Sequence, residues 1–202
     1  DVPTRVAGQK TLAYEVVGTL GHAPEAMVLP VSSGGNASAV WKAFQELSRA
    51  GVITEIPRLY FIQADACDPI AQAFRTDEKS VRPTVADETI AYSIANPDPP
   101  SGNRALAAAR DTGGAVLSVG DAAIREAQST IATHTGLAVE PASATTIAGI
   151  RRLTTDGTIA TDDHVVAVAT GTGYREEPGG TSDSSIVSLD DLKATLSSRG
   201  PT

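Results

Sequence analysis

Cysteine is nearly absent from this chain: Cys67 is the only one in 202 residues, so no internal disulfide can form. A lone cysteine of this kind reads first as a small buried hydrophobe. Aromatic residues make up only 4% of the sequence, and no cluster of Lys and Arg stands among them. Together with a net charge of -8, this excludes a nucleic-acid surface and an anionic-membrane surface. No apolar run reaches the roughly 18 residues that a membrane helix needs, and no signal-peptide pattern is present. A reducing cytoplasm is the expected compartment. Several chemistries also lack their signatures. The G-x-G-x-x-G of dinucleotide binders, the G-K-[ST] of a P-loop and the G-x-S-x-G nucleophile elbow do not occur. His22, His134 and His164 are scattered, without metal-ligand spacing, and Asp162-Asp163-His164 reads as a polar turn. There is no internal repeat and no sustained heptad.

What is present is small and aliphatic. Hydrophobic residues reach 41%, glycine occurs 18 times, and the length suits one substantial domain with a core of small side chains. Apolar spacing predicts an amphipathic helix over residues 8–20, ended by Gly21, then a buried strand over 26–31. A helix over 36–50 presents Val40, Phe44 and Leu47 on one face, and Arg58 to Ala64 (RLYFIQA) is a continuous apolar strand. Further on, a brief helix over 68–74 leads into an irregular, proline-broken stretch over 76–87 and a short helix over 88–95. After the break at Asn96 to Pro100 (NPDPP), helices are predicted over 103–111, 122–135 and 142–153, with Asp121 as a cap. Strands are expected at 115–119 and, most strongly, at 163–170 (DHVVAVAT). The Gly, Ser and Asp stretch 178–185 reads as a mobile tail before a last helix over 189–196. Strands alternating with helices predict an α/β three-layer sandwich with a mainly parallel sheet.

Two glycine-containing turns fall at expected strand ends. Ser32, Ser33, Gly34, Gly35 and Asn36 follow the strand ending at Val31, and Thr170-Gly171-Thr172-Gly173 follows the strand ending at Ala169. Ligands of open parallel sheets sit at such ends. A strand, a glycine turn and a helix start can hold one phosphate, because free N–H groups and the positive end of the helix converge there. The same residues also suit an ordinary turn, with Gly supplying a positive φ and Ser or Asn a cap.

The order G-Q-K-T (8–11), P-V-S-S-G-G-N (30–36), P-R-L-Y-F-I-Q-A (57–64), E-P-A-S-A (140–144) and T-G-T-G (170–173) resembles the pyridoxal-phosphate enzymes of the tryptophan-synthase β fold. Among these, the chain is most similar to threonine synthases, from Val2 to about Glu176. The resemblance implies that residues 1–176 are the C-terminal part of the cofactor-binding large domain, followed by the tail 177–202. It implies that the backbone of Ser32 to Asn36 holds the phosphate of pyridoxal phosphate, that Thr170 meets the ring nitrogen, and that Glu140 lies by the ring edge. Read without the resemblance, Glu140 is a loop carboxylate capping the helix from Ala142. Arg5 matches the position where threonine synthases turn an arginine toward the phosphate of O-phosphohomoserine, a dianion that a guanidinium fork suits. Where these enzymes have Asn, this chain has Val2.

The Schiff-base lysine of the family has no counterpart here. Lys10, Lys42, Lys79 and Lys193 all stand in other contexts, and Lys10 reads as a solvated first-turn lysine. No catalytic residue is therefore expected within these residues. A beginning at Asp1, entering the motifs at once, points to a piece of a longer polypeptide. The activity implied for the complete protein is a lyase reaction on an amino-acid substrate, O-phosphohomoserine and water giving threonine and phosphate, in a homodimer. Serine or threonine dehydratases and β-replacement enzymes are the alternatives within the fold. A non-catalytic half or regulatory subunit is the alternative outside it.

Overall fold

A computed structural model of the chain describes residues 2–175 together with 188, 190 and 191. Four parallel strands, β1 (Ala26–Pro30), β2 (Arg58–Ala64), β3 (Ala115–Val119) and β4 (Val165–Ala167), form one sheet in the order β3-β2-β1-β4. Seven α-helices lie among the described residues: α1 (Pro3–Gln9), α2 (Thr11–Leu20), α3 (Gly35–Arg49), α4 (Pro69–Arg75), α5 (Gly102–Asp111), α6 (Asp121–Thr135) and α7 (Pro141–Thr155).

The pleat of the strands divides the core in two. Met27, Leu29, Leu59 and Phe61 face α2, α3, α4 and α5, while Ala26, Val28, Tyr60, Ile62 and Ala64 face α6 and α7. The result is the α/β three-layer sandwich that alternating elements predict. β1 is wholly buried, as a strand covered on both faces must be. The scarcity of aromatics shows in the helices, which approach the sheet through alanines such as Ala43, Ala105, Ala109, Ala127 and Ala144. Gln63 is a polar exception in the sheet. It is fully buried, and its Oε1 accepts the N–H groups of Ile70 and Ala71 at 2.9 and 3.0 Å, capping α4 from outside that helix.

Several elements differ from the pattern-based expectation, each for a local reason. The helix expected over 8–20 is two helices that break at Lys10, where the Thr11 hydroxyl turns back to the Gly8 carbonyl at 3.0 Å. Pro3 at the first position of α1 starts the chain in helix earlier than the apolar spacing suggests. Over 88–95 only a 3-10 turn forms, at Tyr92–Ile94. Asp121 is the reason: it does not cap its own helix but accepts the Thr89 hydroxyl at 2.6 Å and the Ile90 N–H at 3.1 Å, holding that loop open.

The strand expected over 163–170 shrinks to three residues. β4 is an edge strand paired only with β1, and side chains take the backbone groups at both of its ends. Glu25 accepts the His164 N–H at 2.9 Å, and Ser143 accepts the Thr170 and Gly171 N–H groups. The expected mobile stretch 178–185 lies outside the described residues, and so does the terminal helix over 189–196 apart from Asp190 and Asp191.

Candidate functional site

The strand order reverses direction at β1: β2 and β3 build outward on one side of it, and β4 returns to the other. In open parallel sheets the crevice outside the carboxyl ends of the strands, at such a reversal, is where ligands lie. The two glycine turns leave the sheet from this neighbouring pair of strands. Val168 still donates to the Val28 carbonyl at 2.9 Å, so the chain segments reach the carboxyl edge side by side.

The turn after β1 is made of backbone. Gly34 has φ 82°, a left-handed conformation, and a Cβ built on it would stand 2.5 Å from the Ser101 carbonyl oxygen. Only glycine fits there. The Ser101 N–H in turn donates to the Ser33 carbonyl at 2.8 Å, which ties the turn to the start of α5. Gly34 precedes α3 with no side-chain cap, and Ser38 is the first residue whose N–H closes a helical bond, to the Gly34 carbonyl at 3.0 Å. The earlier N–H groups of a helix have no partner within it and carry the positive end of its dipole. Ser32, Ser33 and Asn36 are half-buried around that end, and Gly34 and Gly35 are buried.

The turn after β4 is made of side chains. Ser143, in the first turn of α7 and 1% exposed, accepts the N–H groups of Thr170 and Gly171 at 2.8 and 2.9 Å. Its oxygen lies 3.1 Å from Thr170 Oγ1 and 3.2 Å from the Gly171 carbonyl. The Thr170 hydroxyl donates to Glu140 Oε1 at 3.0 Å, and Glu140 N–H donates to the Gly171 carbonyl at 3.1 Å. Glu140 thus precedes α7 without capping it, since Pro141 opens the helix and the carboxylate is engaged with Thr170. A Cβ on Gly171 would stand 2.7 Å from the Glu140 carboxyl carbon, so the missing side chain is what lets the carboxylate fold over the turn.

Thr170 and Glu140 are therefore brought together, next to the strand whose end carries Ser32 to Asn36. Arg5 is not brought to them by any described contact. It lies exposed on α1, and no described ion pair or hydrogen bond ties it to either turn. Ser143 is the residue that the motif reading missed. It sits inside E-P-A-S-A as one of three buried hydroxyl residues of α7, with Thr145 and Thr146, and no sequence signal sets it apart from those two.

The remaining candidates resolve as structure. Asp163 pairs with Arg58 and accepts the Ala160 N–H at 2.8 Å; that backbone bond and the guanidinium hold its carboxyl below the usual carboxylate range. Among the described residues no group of three or more His, Cys, Asp or Glu side chains could hold a metal ion. Cys67 is buried among core side chains, and that burial pushes its thiol up. Lys10 is bonded to Glu46 at 2.6 Å rather than solvated, and Lys42 pairs with the same carboxylate at 2.9 Å, while Lys79 is exposed. No described helix is long and apolar enough to cross a membrane.

A helix start with unpaired N–H groups and no room for a Cβ suits an anion such as a phosphate, and the end of the neighbouring strand carries a hydroxyl with a carboxylate beside it. Comparison with known proteins gives the family. A family model described as pyridoxal-phosphate dependent enzyme matches residues 1–171. A threonine synthase of Methanocaldococcus jannaschii is 41% identical over 175 residues, covering 86% of this chain and 43% of the relative. One of Methanosarcina acetivorans is 38% identical over 170 residues, covering 84% and 42%. One of Mycobacterium tuberculosis is 36% identical over 186 residues, covering 92% and 49%. This chain spans less than half the length of these relatives.

Among solved structures, a fungal L-serine ammonia-lyase from Rhizomucor miehei superposes with a TM-score of 0.71 at 18% identity, over 98% of this chain and 57% of that one. The processed form of threonine deaminase isoform 2 from Solanum lycopersicum does so with a TM-score of 0.70 at 16% identity, over 100% and 51%. At these identities the likeness shows the fold.

Proposed function

The chain belongs to the pyridoxal-phosphate-dependent enzymes, and on that premise we propose that it forms the C-terminal part of the large domain of a threonine synthase-like lyase. The complete protein would convert O-phosphohomoserine and water to threonine and phosphate. The observation that carries the reading is the pairing of two turns on adjacent strands, one offering backbone donors and the other a neutral hydroxyl. Curated relatives named threonine synthase, at 34–41% identity, support the substrate.

In this reading the backbone N–H groups from Ser32 to Asn36 bind the cofactor phosphate and fix the register of the ring. The Thr170 hydroxyl meets the ring nitrogen, and Glu140 lies along the ring edge. Bound pyridoxal phosphate supplies an electron sink that stabilises negative charge on the substrate carbon. A hydroxyl at the ring nitrogen, unlike a carboxylate, leaves that nitrogen without a proton and moderates the sink. Moderated withdrawal suits elimination and replacement at the β or γ carbon. Arg5 pairs with the substrate phosphate, and its free guanidinium on α1 leaves it available for that contact. The Schiff-base lysine is contributed by sequence outside residues 1–202. Lys10 and Lys42, committed to Glu46, are poor candidates for it.

Arg5 decides between the synthase and the dehydratase. In the complete enzyme, Arg5→Ala should raise KM for O-phosphohomoserine by about tenfold to a hundredfold, the range for a lost charge-assisted bond of roughly 1.5–3 kcal/mol. Turnover of unphosphorylated serine or threonine should not change. Steady-state kinetics on both substrates check this. Intact turnover of the phosphorylated substrate, with an unphosphorylated hydroxy amino acid as the better one, would overturn the synthase reading.

A further inference from the structure

A serine hydroxyl has one proton to give and two lone pairs with which to accept. In Ser143 both lone pairs are used: one by the Thr170 N–H at 2.8 Å, the other by the Gly171 N–H at 2.9 Å. Its proton must then go outward, to Thr170 Oγ1 at 3.1 Å or to the Gly171 carbonyl at 3.2 Å. In neither case can Ser143 take a proton from Thr170. The Thr170 hydroxyl can donate only away from Ser143, and here it does so to Glu140 Oε1 at 3.0 Å. Ser143 is 1% exposed, so water does not relieve the constraint.

We propose that Ser143 is a positioning residue that bars the Thr170 hydroxyl from donating inward, so that its proton goes outward, to Glu140 or to an acceptor nitrogen of the bound cofactor. The inference rests on the reading of Thr170 as the ring-nitrogen partner. It adds the reason why that hydroxyl donates: the buried oxygen beside it has no acceptor capacity left. It also gives Glu140 a second use. Its carboxylate accepts the Thr170 hydroxyl and holds it in its outward rotamer, so donation to the ring nitrogen requires only that this one proton leave Glu140 for the ring. Because the two N–H groups that saturate Ser143 belong to Thr170 and Gly171, the same contact fixes both the place of the hydroxyl and its direction.

The test uses the complete protein that contains this chain, stripped of cofactor and reconstituted with pyridoxal phosphate isotopically enriched at its ring nitrogen. Two quantities are read: the cofactor dissociation constant and the nitrogen chemical shift. Ser143→Ala should raise the dissociation constant about tenfold, the effect of a hydrogen bond weakened by roughly 1.4 kcal/mol. It should also move the nitrogen shift toward that of the free, unprotonated ring. Ser143→Thr, which keeps the hydroxyl, should restore the shift. Thr170→Val should produce both changes, and adding Ser143→Ala to it should produce little more. Should Ser143→Ala fail to fold, Ser143→Cys, nearly the same shape with a weak acceptor, is read in the same way.

The outcomes separate the two ideas. If Thr170→Val leaves both quantities unmoved, the ring-nitrogen reading of Thr170 falls. If Thr170→Val moves them and Ser143→Ala does not, Ser143 alone is misassigned. A weakened affinity with an unmoved nitrogen shift, additive to Thr170→Val, would reduce Ser143 to a structural prop and overturn the proposal.

Discussion

The turns after β1 and β4 stand side by side at the same end of the sheet and are built in opposite ways. The first owes its shape to backbone: a left-handed Gly34, a missing Cβ against Ser101, and a helix start left without a side-chain cap. The second owes its shape to α7, whose Ser143 and Glu140 hold Thr170 and Gly171 in place. A turn of the first kind keeps its shape through glycine and main chain, whereas one of the second kind can be altered one side-chain atom at a time.

The largest break should come from Gly34→Ala. It imposes a left-handed conformation on a residue with a side chain and forces a Cβ into the Ser101 backbone, which cannot swing aside. Strain of this sort costs about 1–3 kcal/mol, before the clash is added. Urea unfolding should show at least that loss, and binding of inorganic phosphate or of the cofactor should disappear with it.

Gly171→Ala probes the other turn and should be milder. Its new Cβ meets the far end of the Glu140 side chain, which can rotate away, so a stability loss of about 1 kcal/mol is expected. In a chain that already carries Glu140→Ala the loss should shrink toward zero. A double-mutant cycle measures that coupling. An equal loss in both backgrounds would show that the Gly171 turn does not depend on Glu140.

The smallest effect concerns the outer side of α3, where Glu46 is bonded to Lys10, Tyr14 and Lys42. The Lys10 ammonium, followed by the Tyr14 hydroxyl and Lys42, pulls the Glu46 carboxyl down to about 2 from the ordinary 4.5. A depressed carboxyl stabilises the fold fully above its ordinary value and loses that contribution as the pH falls through the folded value. Wild-type stability should therefore decline between pH 4.5 and about 2 more steeply than that of Glu46→Gln. The site turns should be indifferent to this change. Parallel unfolding curves for the two proteins over that window would remove Glu46 from the account.

Much of the architecture was legible. β1, β2, α3 and α5 to α7 lie close to where apolar spacing put them, because burial on a sheet or a helix face imposes its own period. The failures have particular causes. Helix 8–20 divided at Lys10, because one residue is enough to break a helix without disturbing the apolar stripe on either side. The DHVVAVAT segment looked like the strongest strand, yet three residues of it pair, because composition does not say how many neighbours a strand will have. Asp121 looked like a cap for its own helix, but the loop at Thr89 and Ile90 reached it first.

The glycine turn at Ser32 to Asn36 was legible in the sequence itself, since φ preference, strand period and helix start are properties of neighbouring residues, although the Ser101 backbone that leaves Gly34 no room for a Cβ came with the fold. Family motifs in their order named Thr170 and Glu140. Only the tertiary structure could show that the Thr170 hydroxyl points at Glu140 and that the Ser143 oxygen beside it already accepts two N–H groups. Ser143 and Thr170 are 27 residues apart, and a hydrogen bond across that distance exists only once α7 has packed on β1 and β4 has paired beside it. Direction of donation is a count of protons and lone pairs around one buried oxygen, and that count is settled by packing.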